Sequence, residues 1–221
     1  MKKALVIFGA GEIAQLAHFY FSTDSEYEVL AFTVDAAYRT EASFCGLPVV
    51  DFEDLAAHYP PERCAVFVAF GYAKLNAARK EKYLAVKEKG YRLASYISSR
   101  ASVLNQGRIG ENCFIFEDNT IQPFVTIGNN VTLWSGNHIG HHSTIRDHCF
   151  LASHVVVSGG VDIGEQCFIG VNATLRDRLR IGARCVIGAG ALLLADAEED
   201  GVYIGAATER SRVPSSRLRK I

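Results

Sequence analysis

The sequence predicts an α/β unit followed by an all-β solenoid, a parallel β-helix. The first observation behind this is a lattice. Ile109, Ile127, Ile145, Ile163 and Ile181 recur every eighteen residues; Ile115, Leu133, Leu151, Ile169 and Ile187 lie six further on; Ile121, Ile139, Val157, Leu175 and Leu193 lie six beyond those. The second is the turn chemistry between the aliphatics, as in Gly110-Glu111-Asn112, Gly128-Asn129-Asn130, Arg146-Asp147 and Gly164-Glu165-Gln166. The third is the contrast with the first hundred residues, which lack the lattice and open as strand, glycine turn and helix.

A six-residue step means that each flat side of the solenoid uses six residues and that three sides close one coil. The lattice aliphatics then point inward and stack between coils, each coil burying its apolar row against its neighbours. A helix would need apolar spacings of three and four, which this stretch lacks. Ile97 and Val103 extend the lattice backwards, so a partial first coil is expected there. The segment 196–200 breaks the spacing and reads as a loop interrupting the last coil. Cys113, Cys149, Cys167 and Cys185 share one column of the repeat, with Val131 in the missing place. No CxxC spacing accompanies them, so they read as stacked small hydrophobes rather than metal ligands, and no metal is expected.

In the N-terminal part, the apolar run 4–8 reads as a strand, followed by Gly9-Ala10-Gly11-Glu12-Ile13-Ala14 and a helical pattern through Phe21. This is the opening of a Rossmann-like unit. Gly9 permits the tight turn, Gly11 lets a phosphate approach the backbone, and the helix N-terminus offers amide donors and positive dipole. The second strand, 28–34, ends in Asp35, whose acidic side chain lies about twenty residues beyond the glycines, where it can bind a ribose hydroxyl. Residues 49–50 suggest a short strand, 51–58 a short helix, 64–70 a central strand, 73–89 a long helix, and 92–97 a strand leading into the solenoid. At about 97 residues, this unit suits a mononucleotide or nucleotide-sugar better than a dinucleotide.

Bulk properties narrow the partners. A formal net charge of −1 gives no electrostatic case for nucleic acid. No segment approaches the roughly 20 apolar residues of a membrane span. The N-terminus enters a strand directly, without a signal-peptide cleavage pattern, so a cytoplasmic location is expected.

The lattice resembles the left-handed β-helix of hexapeptide-repeat acyltransferases over about residues 97–210. A small Rossmann-like unit in front of such a helix is similar to the nucleotide-sugar N-acetyltransferases, the sialic-acid O-acetyltransferase-like family. Members of that family acetylate the amino group of UDP-4-amino-sugars or GDP-perosamine in bacterial glycan synthesis. The resemblance implies three parts: a nucleotide-sugar-binding domain over 1–97, an acyltransferase β-helix over 98–200 and a tail over 201–221. It further implies a homotrimer with acetyl-CoA, a co-substrate, in the groove between neighbouring helices. By the same resemblance, Gly9, Gly11 and Glu12 match the phosphate-side loop, Asp35 an acidic residue near the ribose or base, and Gly71, with Tyr72 and Lys74 beside it, the turn after the fourth strand.

The stretch from Trp134 to His142 is the most polar part of the repeat region. His141 lies two positions past the lattice residue Ile139, beside a corner, where a side chain projects outward. The resemblance maps His141 onto the catalytic base that takes a proton from the attacking amine, work for which imidazole is suited at neutral pH. A carboxylate usually orients that base; here His142 stands next to it, with Asp147 or Glu117 of adjacent coils as alternatives. Asn137 and His138 are candidate substrate contacts. A backbone amide near Gly159 or Gly160 is a candidate oxyanion donor, placing Gly159 at the acyl-donor site. Gly170 and Ala189 leave room for a pantetheine chain, and Arg210, with Arg212, Arg217, Arg219 and Lys220, is a candidate partner for the CoA phosphate. Two other readings remain open, O-acetylation of a sugar hydroxyl and a non-catalytic nucleotide-sugar scaffold.

Overall fold

The structure, a computed structural model, describes residues 2–217. Strands β1 (Lys3–Phe8), β2 (Tyr27–Val34), β3 (Ser43–Phe44), β4 (Leu47–Asp51), β5 (Cys64–Val68) and β6 (Arg92–Leu93) form one sheet in the order β3-β4-β2-β1-β5-β6. All neighbours pair in parallel except β3 and β4. Its central strands β1 and β5 are buried along almost their whole length, as expected of a parallel sheet covered on both faces. Helices α1 (Glu12–Thr23), α2 (Leu55–His58) and α3 (Ala77–Glu88) supply that cover.

Three local expectations are corrected. The short helix begins at Leu55 rather than Asp51, because Asp51 still pairs with Val34 in the sheet. The long helix begins at Ala77 rather than Ala73: Lys74, Leu75 and Asn76 are all left-handed, with φ of 51°, 52° and 63°. The expected strand over 92–97 divides between two sheets, Arg92–Leu93 pairing with β5 and Tyr96–Ile97 pairing with Phe114–Ile115 of the solenoid.

From Tyr96 onward, two-residue strands stack in parallel into three further sheets. Seven, from Tyr96–Ile97 to Val202–Tyr203, form the covered face, on which the N-terminal unit sits; six, from Ser102–Val103 to Leu192–Leu193, form the long free face; four, from Thr126–Ile127 to Arg180–Ile181, form the short free face. Register follows the lattice, Ile121 on Ile139 on Val157 on Leu175, for example, and the aliphatic rows form one core. Ile97 holds its register but is 38% exposed, because no coil covers that end. Truncating a central member such as Leu151 to Ala costs about 2–5 kcal/mol.

The repeat is also written in the backbone. At every sixth position from Gln106 to Gly190 φ is positive, with Asn, Asp, His or Gly at most of these positions. These residues tolerate the left-handed conformation most readily. The corners leaving the covered face (134–137, 152–155, 170–173), the long free face (140–143, 158–161) and the short free face (128–131, 146–149) are here the first, second and third corners. The second corner lies across the prism from the covered face. The segment 196–200 is not an interruption: Ala197 bridges to Ile181 and Val202 pairs with Val186, closing a last coil of sixteen residues instead of eighteen. The column cysteines are buried, and Cys113, Cys149 and Cys167 each donate to a glycine carbonyl 3.1 Å away.

A polar seam joins the two parts. Asn112 accepts from the Val68 amide (2.7 Å) and donates to Asn130 (2.8 Å), and Asn130 lies 3.0 Å from His148 Nδ1. Arg79 of α3 is buried; its guanidinium donates to Thr132 Oγ1 and to the Cys149 carbonyl (2.9 Å). Burial pushes its pKa down to about 10, so it remains charged at neutral pH.

Candidate functional site

The expected site residues fall into three groups. The first lies at the C-terminal edge of the N-terminal sheet, where open α/β sheets bind ligands. Gly9 has φ of 129°, and a β-carbon there would stand 3.0 Å from the Ala69 carbonyl oxygen, so the turn requires glycine. Gly11 caps α1 without a side-chain bond to the first amides and has open space beside it. Glu12 begins that helix and is exposed. Gly71 faces Ile13 from the turn after β5. Asp35 follows β2, but Lys82 of α3 holds its carboxylate at 2.9 Å. Beside them, Ala10, Val34, Tyr38 and Arg39 line part of a hollow of about 130 Å³.

The second group lies where the turn after β5 meets the solenoid. Tyr72, Gly170 and Ala189, expected in different roles, line one cleft with Trp134, Phe150 and Phe168. Lys74, in the same turn, is exposed. Sequence reasoning missed the three aromatic residues of the β-helix. The signal was present, because Phe150 and Phe168 occupy equivalent outward positions one before the lattice in successive coils, and outward aromatics on a coil imply a covering partner.

The third group is the second corner. His141 and His142 are exposed, their Nδ1 atoms 3.0 Å apart. The His141 amide donates to Gln122 Oε1 (2.8 Å), another residue sequence reasoning missed, and the His141 carbonyl accepts from the Gly160 amide (2.8 Å). The imidazole lies against Gly159: a β-carbon there would stand 2.7 Å from Cε1 and 2.9 Å from Nε2 of His141, so glycine leaves the ring its place. Asp147 and Glu117 are committed elsewhere, the first to Asn129 and the second to Tyr20 and Ser135, so neither orients His141.

Asn137 is corrected. It is buried at the first corner, its amide donating to the Trp134 carbonyl and its oxygen accepting from the Val155 amide (2.8 Å), so it holds the turn rather than a ligand. His138 sits on the long free face, half-buried between Thr120 and Val156. Arg210 and Arg212 are exposed in the tail; Arg219 and Lys220 lie outside the described residues. Among the described residues no cluster of three metal-ligating side chains forms, and no helix is long and apolar enough to cross a membrane.

The bacterial transferase hexapeptide profile (six repeats) matches residues 107–141, 125–159 and 160–195. Among solved structures, the chain is similar to a histidine-to-asparagine mutant of perosamine N-acetyltransferase from Caulobacter crescentus in complex with CoA and GDP-perosamine. That match has 26% identity and a TM-score of 0.82, covering 91% of this chain and 93% of the other. It is similar also to the acetyltransferase domain of PglB from Neisseria gonorrhoeae FA1090, at 23% identity, TM-score 0.82 and coverage of 92% and 97%. WeeI from Acinetobacter baumannii AYE matches at 20% identity, TM-score 0.77 and coverage of 92% and 97%. No curated protein sequence matches. The architecture is thus an α/β unit on the left-handed parallel β-helix of these transferases.

Proposed function

We propose, from the premise that the chain is a hexapeptide-repeat acyltransferase, that it moves an acetyl group from acetyl-CoA to the amino group of a nucleotide-linked 4-amino-deoxy sugar. The observation that carries this reading is the second corner, where an exposed imidazole backed by a second histidine stands against a glycine peptide. The similarity to a CoA- and GDP-perosamine-binding N-acetyltransferase supports both substrates. The nucleotide is UDP or GDP.

The chemistry follows from the corner. In the tautomer whose Nδ1 proton goes to His142 Nδ1, His141 presents an unprotonated Nε2 as general base. The sugar amine attacks the thioester carbonyl, Nε2 takes its proton, and the tetrahedral intermediate collapses with cleavage of the C–S bond, the departing CoA sulfur taking that proton back from Nε2. Of the two candidate oxyanion donors, Gly160 is spent on the His141 carbonyl, whereas the Gly159 amide has no partner among the described residues. A peptide donor of this kind is worth about 10²–10³ in rate.

The prism favours a shared site. Each side spans at most about 20 Å, and His141 stands at the corner opposite the face that carries its own nucleotide-binding unit. On this reading the acceptor that reaches His141 is held by a neighbouring copy, in a homotrimer with acetyl-CoA between β-helices. Such an enzyme serves bacterial glycan synthesis in the cytoplasm. The test is CoA release with UDP- and GDP-linked amino-sugars against free sugars, paired with sedimentation of the intact protein. Release only with free-sugar hydroxyls as acceptor, or a fully active monomer, overturns the reading.

A further inference from the structure

The left-handed corner positions, from Gln106 to Gly190, hold Asn, Asp, His, Gly, Gln and Arg with one departure: Phe124, at φ of 66°. A bulky side chain in this region is a steric outlier. Burial does not compensate, since Phe124 is 53% exposed. The residue strains its backbone and leaves an apolar face in water, so the fold alone does not account for it. Strain of this kind gathers at functional sites.

What the ring touches is the second histidine of the free corner. Phe124 and His142 occupy the same place in successive coils, and their rings meet at 4.7 Å between centroids, tilted by 37°. The rest of that turn grips the same pair. Gln122 Oε1 accepts from the His141 amide (2.8 Å), and the Pro123 carbonyl accepts from the His142 amide (3.3 Å). His142 in turn meets His141, Nδ1 to Nδ1 at 3.0 Å, with the ring planes at 87°. Three rings thus stand in series: Phe124, His142 and His141. On the other side of the pair, Gly159 and Gly160 bring no side chain, and the next charged residues of the corner, Asp177 and Arg178, belong to the coil beyond.

Resting on the reading of His141 as the base, we propose that Phe124 is a positioning residue that acts through His142 and favours the protonated state of the histidine pair. Proton transfer from the amine to Nε2 leaves the two imidazoles with one positive charge, shared across the Nδ1 contact. His142 carries no negative charge to meet it. The face of the Phe124 ring meets it instead, at a distance within the roughly 6 Å over which an aromatic ring attracts a cation. The same contact fixes the exposed His142 imidazole in the orientation that turns Nδ1 towards His141.

The decisive substitution is Phe124→Asn, because asparagine suits a left-handed backbone better than phenylalanine does. Its thermal midpoint is expected to equal or exceed that of the parent, while kcat for CoA release falls about three- to tenfold with KM unchanged for both substrates. Phe124→Tyr, which keeps the ring, should retain most of kcat. Phe124→Asn combined with His142→Ala should be no slower than His142→Ala alone, since the ring acts only through His142. An unchanged kcat overturns the proposal, as does additivity in the double variant. A lowered midpoint assigns the ring to the fold, and dissociation of the variant in sedimentation assigns it to an interface between copies; either result overturns the proposal too. Independently of turnover, the His142 ring protons should resonate upfield in the ring current of Phe124 and move back in Phe124→Asn; resonances that stay in place would show that the ring does not hold His142. His141→Ala run alongside separates the failures. If it leaves transfer intact, the base assignment and this inference fall together; if it stops transfer while Phe124→Asn does not slow it, only this inference falls.

Discussion

His142 and His148 occupy equivalent places at successive corners, with φ of 60° and 64°, and yet they behave as different residues. His142, at the second corner, is exposed and bonded to His141. His148, at the third, lies beneath α3 at 5% exposure, with Asn130 at its Nδ1 and the Tyr83 ring 5.4 Å away. Burial, with help from Lys80, pushes its pKa down to about 4. The backbone is the same; what differs is whether the N-terminal unit sits on that corner. The solenoid's corners share one backbone, and docking removes this one from chemistry.

The strongest way to break this contrast is His141→Ala. On the proposed mechanism it lowers kcat by about 10²–10⁴; a tenfold or smaller loss in a CoA-release assay would sink the assignment of the free corner. Next is the seam. Arg79→Ala removes the guanidinium donor shared by the His148 and Cys149 carbonyls and leaves a void under α3, at an expected cost of about 3 kcal/mol in urea unfolding. A cost below about 1 kcal/mol would mean that the docking is held elsewhere.

His148 sharpens the contrast through pH. Its folded-state pKa lies below the unfolded value of about 6.5, so between the two the unfolded chain binds the extra proton. The stability associated with neutral His148 is fully present above about pH 6.5 and is lost as pH falls towards 4, with a slope approaching ~1.4 kcal/mol per pH unit. His148→Gln should remove that slope between pH 6.5 and 5, read from denaturant midpoints; an unchanged slope would refute the linkage. The smallest effect belongs to His142→Ala, which frees the His141 ring without removing it. We expect kcat to fall about tenfold with KM unchanged, and His142→Asp, which restores an acceptor, to recover most of the loss.

The lattice made the solenoid legible because a buried aliphatic at every sixth residue admits no other packing. The free corner was legible for the same reason: a residue two places past Ile139 must point out of the wall. What failed was whatever depended on partners that only the folded chain brings together. Asn137 reads as a ligand contact because its polarity is visible, while the Trp134 and Val155 backbone groups that consume it are not. Arg79 carries no signal of its role in the sequence, since only the docked β-helix supplies the carbonyls it meets. The start of α3 was misplaced because Lys74, Leu75 and Asn76 are held left-handed partly by tertiary bonds from Gln166 and to Cys167, not by their own propensities.

The eighteen-residue period also behaves as a frame. Losing one whole coil would shorten the stack and leave every later side chain facing as before. Losing a single six-residue side upstream of the histidines would turn everything after it by one corner. His148 would emerge at the position His142 now holds, and His154 would enter the seam in its place. Fold and core would survive such a change almost untouched, since the aliphatic rows are interchangeable, while the chemistry would be scrambled. Length changes in this molecule are therefore in frame or out of frame, much as they are in a coding sequence.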